Sequence, residues 1–336
     1  MIRKAETAGM GPAAAPAPIM KLTSIHAVPL AYFLEVAQSG SLTAAAKTLH
    51  VAVSAISRQI ARLEEELGVV LFDREPRGMR LTDAGRVVQQ YGRRAFLDAE
   101  TLQADLRGLM SLTHSAVRVA CTEGFAREYV PTLIAAFQRR FPGVAFSLDV
   151  ATAAECTRLV REGDVDIALT FAIADQAGIA VEYSEVAPVF ACVSRNHPIA
   201  GMARVPLREL VTHPLVLPSE VHTLRQLFDL ACSLEGLRPN VLLTSNSLGA
   251  LVAYQNHVDV VYLTGSLAVR NTLRADRRVL VPIVGRAMQQ RALQIQTMAG
   301  RHLPPAVRAF ADALRLDAGK RRRALPTAER GRRSAT

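Results

Sequence analysis

The sequence predicts a multidomain α/β protein, with a small helical unit and a β ribbon in front and a larger mixed α/β half behind. Three observations carry this. Apolar residues recur with helical spacing in three short segments between Leu30 and Leu67, and a tight ribbon follows; a seven-residue repeat runs from Val88 to Leu109; beyond Ser115 short β-rich runs alternate with helical ones. At 336 residues, half of them hydrophobic, the chain can bury two or three cores and is too apolar to be disordered throughout.

The opening MIRKAETAGMGPAAAPAPIM is rich in Ala and Pro and cannot bury a core. Residues 1–22 are expected to be either a disordered arm or an over-long reading frame whose true start is Met20. The stretch has an acid and three prolines where a signal peptide needs an unbroken apolar run, and nowhere do 18 apolar residues follow one another. Four dispersed cysteines, Cys121, Cys156, Cys192 and Cys232, form no C-x-x-C pair and fit a reducing compartment. A cytoplasmic protein without a membrane partner is expected. The formal charge of +10 suggests an anionic partner, but seven bases against two acids from Asp317 onward supply half of it. That segment, 317–336, reads as a solvated basic tail, with an extra DNA-binding arm as the other possibility.

The first unit spans residues 23–81. In PLAYFLEVAQSG, Leu30, Phe33, Leu34 and Ala37 line one helical face, with Pro29 at the start and Gly40 at the expected C-cap. A second helix over Ser41–Leu49 turns Ala45, Ala46 and Leu49 inward, and small alanines allow close approach of a neighbour. After the break HVA, a third helix carries Ile56, Ile60, Leu63 and Leu67 on one side and ends at Gly68. Two short helices joined by a tight turn make a helix-turn-helix.

On the polar side of the third helix, Ser54, Ser57, Arg58 and Arg62 lie toward its N-terminal half, and Glu64, Glu65 and Glu66 cluster at its exit. A helix that inserts its first turns into a major groove needs this order of charge. LFDREPRGMRLT then reads as two strands about a Pro-Arg-Gly turn, a wing whose Arg74, Arg77 and Arg80 can neutralise phosphates or enter a minor groove.

The stretch GSLTAAAKTLHVAVSAISRQIARLEEELGVVLFDREPRGMRLTDAG resembles the DNA-binding signature of LysR-type transcriptional regulators in its spacing, its turn, the ISRQIARLEEELGVVLF block and the RLTDAG exit. The resemblance implies a winged helix-turn-helix, a linker helix for dimerisation, and a two-subdomain effector domain like a periplasmic binding protein. It further implies double-stranded operator DNA, a small-molecule effector, a homodimer or homotetramer, and RNA polymerase as a partner when activating. No cofactor and no metal are implied. One departure concerns Ala52 and Val53, where the family usually carries Ser-Gln or Thr-Gln. The change removes a helix cap worth about 1 kcal/mol and one base reader, with Ser54 as a possible replacement cap and Val53 able to touch a thymine methyl. A changed operator preference is expected.

From Thr82 to about Leu112 the pattern stays helical. Val88, Ala95, Leu102 and Leu109 recur every seven residues, with Ala99 and Leu106 between them, as in a short coiled-coil seam. A dimer built on it predicts a pseudo-palindromic operator. Over residues 115–316, AVRVAC, VAFSLDV and VDIALTF alternate with helical segments, the pattern of a parallel sheet whose ligands bind beyond the strand C-termini. FPGVAFSLDV, REGDVDIALTF, NHPIA and HPLVLPSE resemble the family's effector domain. Thr122, Thr152, Thr170, Ser219 and Ser247, hydroxyls at strand ends and helix starts, are the expected effector contacts, each of which could instead simply cap a helix. Glu123 hints at a cationic or neutral ligand. In LVAYQNHVDVVYL, Asn256, His257 and Asp259 stand where the family has glycines, which puts the turn geometry in question.

No G-x-S-x-G elbow, H-E-x-x-H pair or Walker loop occurs, and the eight histidines are scattered, so an enzyme is not expected. Two other readings remain: a redox-sensing regulator acting through Cys121, which ends a strand beside a helix start, and a small-molecule-binding protein without DNA function.

Overall fold

The computed structural model describes residues 28–76, 78–108, 115–265, 278–285 and 287–324. The chain forms two compact units that divide between Glu100 and Thr101. The expected N-terminal extension, Arg77, Leu109 and residues 325–336 of the expected tail lie outside the described residues.

The first unit holds α1 (Val28–Ser39), α2 (Leu42–Leu49), α3 (Val53–Leu67), the antiparallel ribbon β1 (Phe72–Glu75) and β2 (Gly78–Leu81), and most of α4 (Asp83–Gly108). Ser41 caps α2 by accepting from the Ala44 amide, and His50 closes it in the left-handed region at φ 55°. Gly68 closes α3 the same way at φ 69°, where a residue without Cβ is unstrained. Phe33, Val36, Ala45, Leu49, Ile56, Ile60, Leu71 and Phe72 fill one core, to which α4 contributes Phe96 and Ala99. Gly85 makes the closest approach: a Cβ there would lie 2.1 Å from the Leu71 carbonyl oxygen.

The second unit is two α/β lobes. In lobe I the sheet order is β4-β3-β5-β13-β6, from β3 (Ser115–Cys121), β4 (Val144–Val150), β5 (Ile167–Ala172), β6 (Ile179–Val186) and β13 (Ala292–Met298). The strands β4, β3 and β5 are parallel, as the alternating pattern predicts, and β13 runs antiparallel between β5 and β6. The crossovers are α5 (Glu123–Ala126) with α6 (Tyr129–Arg140), and α7 (Ala153–Glu162). The last helix, α11 (Pro305–Ala324), lays Val307, Phe310 and Leu314 into this lobe's core, where Phe310 meets Phe137 and Phe146 edge-on. It runs on through residues 317–324, expected to be tail. The segment has no proline before Pro326, and Ala318 is buried, so nothing stops the helix at Asp317.

In lobe II the order is β10-β9-β11-β7-β12-β8, from β7 (Val189–Ser194), β8 (Val205–Pro206), β9 (Leu215–Pro218), β10 (Val241–Ser245), β11 (Val261–Gly265) and β12 (Arg278–Val284). The helices are α8 (Leu207–Leu210), α9 (Thr223–Leu234) and α10 (Leu248–Gln255). The chain crosses between the lobes twice, after β6 and before β13. At the turn after α10, where glycines were missed, none is needed. Asn256 sits at φ −73°, the buried Gln255 amide donates to the Cys192 and Val260 carbonyls, and Arg278 donates to the Gln255 carbonyl and to Asn256 Oδ1.

Candidate nucleic-acid interface and ligand cleft

Ile56 and Ile60 fix α3 in the core and so turn its opposite face to solvent. Ala52, Val53, Ser54 and Arg58 are exposed there, and Ser57 is half-buried. Arg62 is exposed and pairs with Glu66 at 2.8 Å, a surface ion pair that water screens and a phosphate can displace. The N-cap is Ala52 and no side chain closes the first turn, so Ser54 does not replace the missing cap: it sits two residues past the cap position, inside the helix. Glu64 is not a free acid at the exit. Its Oε1 accepts from the Leu71 and Phe72 amides at 2.7 and 3.3 Å and ties α3 to the entry of the wing. On the wing, Arg74 is exposed, and Arg80 is exposed beside Glu75 at 3.5 Å. Exposed bases on an anchored helix and a two-stranded ribbon suit a polyanionic duplex.

Between the lobes of the second unit lies a cavity of about 360 Å³. Lobe I contributes Thr122, Glu123, Thr152 and Phe171, lobe II contributes His222, Asn246, Leu248 and Gly265, and Arg291 enters from the crossing before β13. Of the hydroxyls expected here, Thr122 and Thr152 reach the wall. Thr152 also caps α7 by accepting from the Glu155 amide, whereas Thr122 Oγ1 is buried with no hydrogen-bond partner among the described residues. Thr170 is not on the wall. It faces the interior of the sheet, fully buried, and its neighbour Phe171 reaches the cavity because side chains alternate along β5. Ser219 stands behind His222, whose Nδ1 lies 3.2 Å from its hydroxyl. Ser247 caps α10, and its hydroxyl also donates to Glu123 Oε1 at 3.4 Å.

Glu123 reaches across the cleft. Its carboxylate accepts from the Leu248 and Gly249 amides at 2.8 and 3.0 Å, so the N-terminus of α10 already neutralises the charge that seemed to repel an anion. Arg291 is the site residue that the sequence did not disclose. It is 3 % exposed, its guanidinium lies 3.9 Å over the Phe171 ring, and its Nε donates to the Ala187 carbonyl. Burial pulls its pKa down to about 10, against a smaller opposing effect of Tyr262, so it stays charged at neutral pH.

The bacterial regulatory helix-turn-helix model of the lysR family matches residues 29–86, and the LysR substrate-binding domain model matches residues 111–318, well over half of the chain. The chain belongs to the LysR family of transcriptional regulators. It is 33 % identical to the transcriptional dual regulator GltC of Bacillus subtilis over 223 residues, covering 66 % of this chain and 74 % of that one. Among solved structures, a variant of full-length OxyR from Pseudomonas aeruginosa superposes with a TM-score of 0.62 at 20 % identity, covering 86 % of this chain and 94 % of that one. Full-length CbnR in complex with its target DNA gives a TM-score of 0.50 at 23 % identity, covering 86 % and 98 %.

In this LysR-type regulator the linker helix α4 divides its apolar residues between two jobs. Of the expected seam, Val88 and Ala99 pack into the core of the first unit and Ala95 is half-buried, while Leu102 and Leu106 are 50 % and 60 % exposed. Val87 and Tyr91, at 67 % and 60 % exposed, join them on one side of the helix. All four cysteines of the LysR-type chain are buried. Burial, with Cys156 nearby, pushes the Cys121 thiol up to about 12, the reverse of the lowered value that a peroxide-reactive thiol needs. The strand end that suggested an activating helix start is walled in, and α5 there is only four residues long. No helix among the described residues is long and apolar enough to cross a membrane.

Proposed function

We propose that this LysR-type regulator acts in the cytoplasm as a homo-oligomer on a pseudo-palindromic operator, and that a small molecule entering the inter-lobe cleft modulates it. The observation that carries the DNA reading is the pairing of α3, with Val53, Ser54, Ser57, Arg58 and Arg62 on its outward face, with a wing bearing Arg74 and Arg80. Phosphate contacts from the arginines would fix register, and Val53 would favour a thymine methyl in place of the base edge that glutamine reads. Pairing of two chains would use Val87, Tyr91, Leu102 and Leu106, the apolar side of α4 left outside the core, and two-fold symmetry would set the half-sites about one or two helical turns apart. When the outcome is activation, RNA polymerase would be the further partner.

Footprinting of the full chain on its own upstream region, with and without a metabolite panel, tests this. A protected palindrome whose extent or bending changes with one metabolite is expected. A well-folded protein that protects no promoter fragment would sink the reading. Selection from random duplexes tests the Val53 contact: return of the usual family consensus at that position would exclude it.

A further inference from the structure

We propose that Arg291 is the counter-ion for the effector, so that the cleft selects a small organic oxyanion, a carboxylate carried on an apolar body. The inference rests on the cleft being the effector site and names the chemistry of that site. A guanidinium has five N–H donors, and a buried one normally meets a carboxylate. Among the described residues Arg291 meets none: its hydrogen bond runs from Nε to the Ala187 carbonyl, its Nη2 has no hydrogen-bond partner there, and a phenyl ring lies under its plane. Tyr262 is the acidic group that acts on it, and burial pushes that phenol's pKa upward, so it remains neutral.

Among the described residues of the cavity wall the one carboxylate, Glu123, is committed elsewhere. Glu123 spends both oxygens on the start of α10. The cleft therefore divides its two positive features: an internal acid takes the helix end, and the guanidinium remains for a ligand. Space for it is built in, because a Cβ on Gly265 would stand 2.9 Å from Arg291 Nη2. The Thr122 hydroxyl, at the end of β3 in the same lobe and buried without a hydrogen-bond partner among the described residues, supplies a second donor. Val150, Phe171, Val221, Leu224 and Leu248 line the remainder, which calls for an apolar body beyond the acid group.

The test uses the full-length protein and monocarboxylates from acetate and hexanoate to benzoate and phenylacetate, each against its own primary amide, in thermal-shift and calorimetric titrations. The expected result is binding of at least one acid, weak or no binding of its amide, and a loss of about 10- to 100-fold in affinity for the acid in Arg291→Met. Ligand-free Arg291→Met should melt no lower than the wild type, because the change removes a buried charge that has no acid partner. Acids that bind Arg291→Met as tightly as the wild type, amides that bind as well as acids, or no acid binding at all would overturn the assignment. Operator footprints of the same variant keep the two readings apart: an intact footprint with lost acid binding supports the assignment, and the regulator reading fails only if the wild type itself leaves no footprint.

Discussion

Two buried arginines flank β13, one at each end, and they have opposite surroundings. After the strand, Arg301 donates from Nη1 to Asp166 Oδ1 at 2.8 Å, and Arg118 donates to the same carboxylate from its backbone amide and its side chain. Burial alone would raise the Asp166 pKa, but the Arg118 and Arg301 charges overcome it and hold the carboxyl below its usual range. Before the strand, Arg291 has a ring, a carbonyl and a cavity. The same type of side chain closes an ion-pair network inside lobe I and, at the cavity wall, is buried without an acid among the described residues. Each of these arginines keeps one buried nitrogen without a hydrogen-bond partner among the described residues, Nη2 of Arg291 and Nε of Arg301, so the difference between them is the carboxylate: Arg301 has Asp166, and Arg291 has no acid within the described residues.

The largest test makes the closed end resemble the open one. Asp166→Ala leaves two arginines without their acid and should cost about 3–5 kcal/mol, read as a lower urea midpoint; an unchanged midpoint would mean that the network is ornamental. Asp166→Asn carries the same idea into pH. The folded pKa of Asp166 is depressed, so its contribution is complete above the unfolded value of about 3.9 and fades as pH falls through the lower folded value. The stability gap between wild type and Asp166→Asn should accordingly narrow below about pH 4, and a gap constant down to pH 2 would contradict the linkage.

In the first unit a backbone contact replaces the ion pair as the sensitive point. Gly85→Ala forces a methyl against the Leu71 carbonyl and should destabilise that unit by about 1–3 kcal/mol, seen as earlier loss of its helical signal on heating. Arg58, Arg62, Arg74 and Arg80 of this unit are exposed, the reverse of the arginines beside β13. Arg58→Ala should lower operator affinity about tenfold and reduce the salt slope by about one unit while stability moves by less than about 0.5 kcal/mol; a change of stability with binding intact would give Arg58 a structural role. Smallest is Ala52→Ser, which supplies the absent cap and should stabilise by about 1 kcal/mol in chemical denaturation.

The sequence was most legible where function lies on the surface of a periodic element. The apolar spacing of α1 to α3 fixes which face is buried, and the exposed bases follow from the remainder. The parallel order of β4, β3 and β5 was likewise readable from alternating strand and helix patterns. Arg291 was hidden because it stands just ahead of a strand that arrives late in the chain, and its meaning depends on Phe171 and Gly265, far away in sequence. Thr170 and Phe171 show a finer limit: a strand end can be located, but which of two neighbours faces the cavity is a matter of pleat parity. On α4 the heptad was visible, yet residues one position apart serve the unit's own core and an outward face: Val88 packs against the core while Val87 and Tyr91 are exposed.

The insertion of β13 between β5 and β6 also orders the protein's birth. Lobe I cannot complete its sheet until the ribosome has made every strand of lobe II, a wait on the order of 10 s at 5–20 residues per second. Through that interval β5 and β6 lack the strand that joins them, and the nascent chain has an open seam at the place where Arg291 will later sit. Every strand of the second lobe is therefore synthesised before the strand that closes the first, and Arg291 arrives with that closing strand.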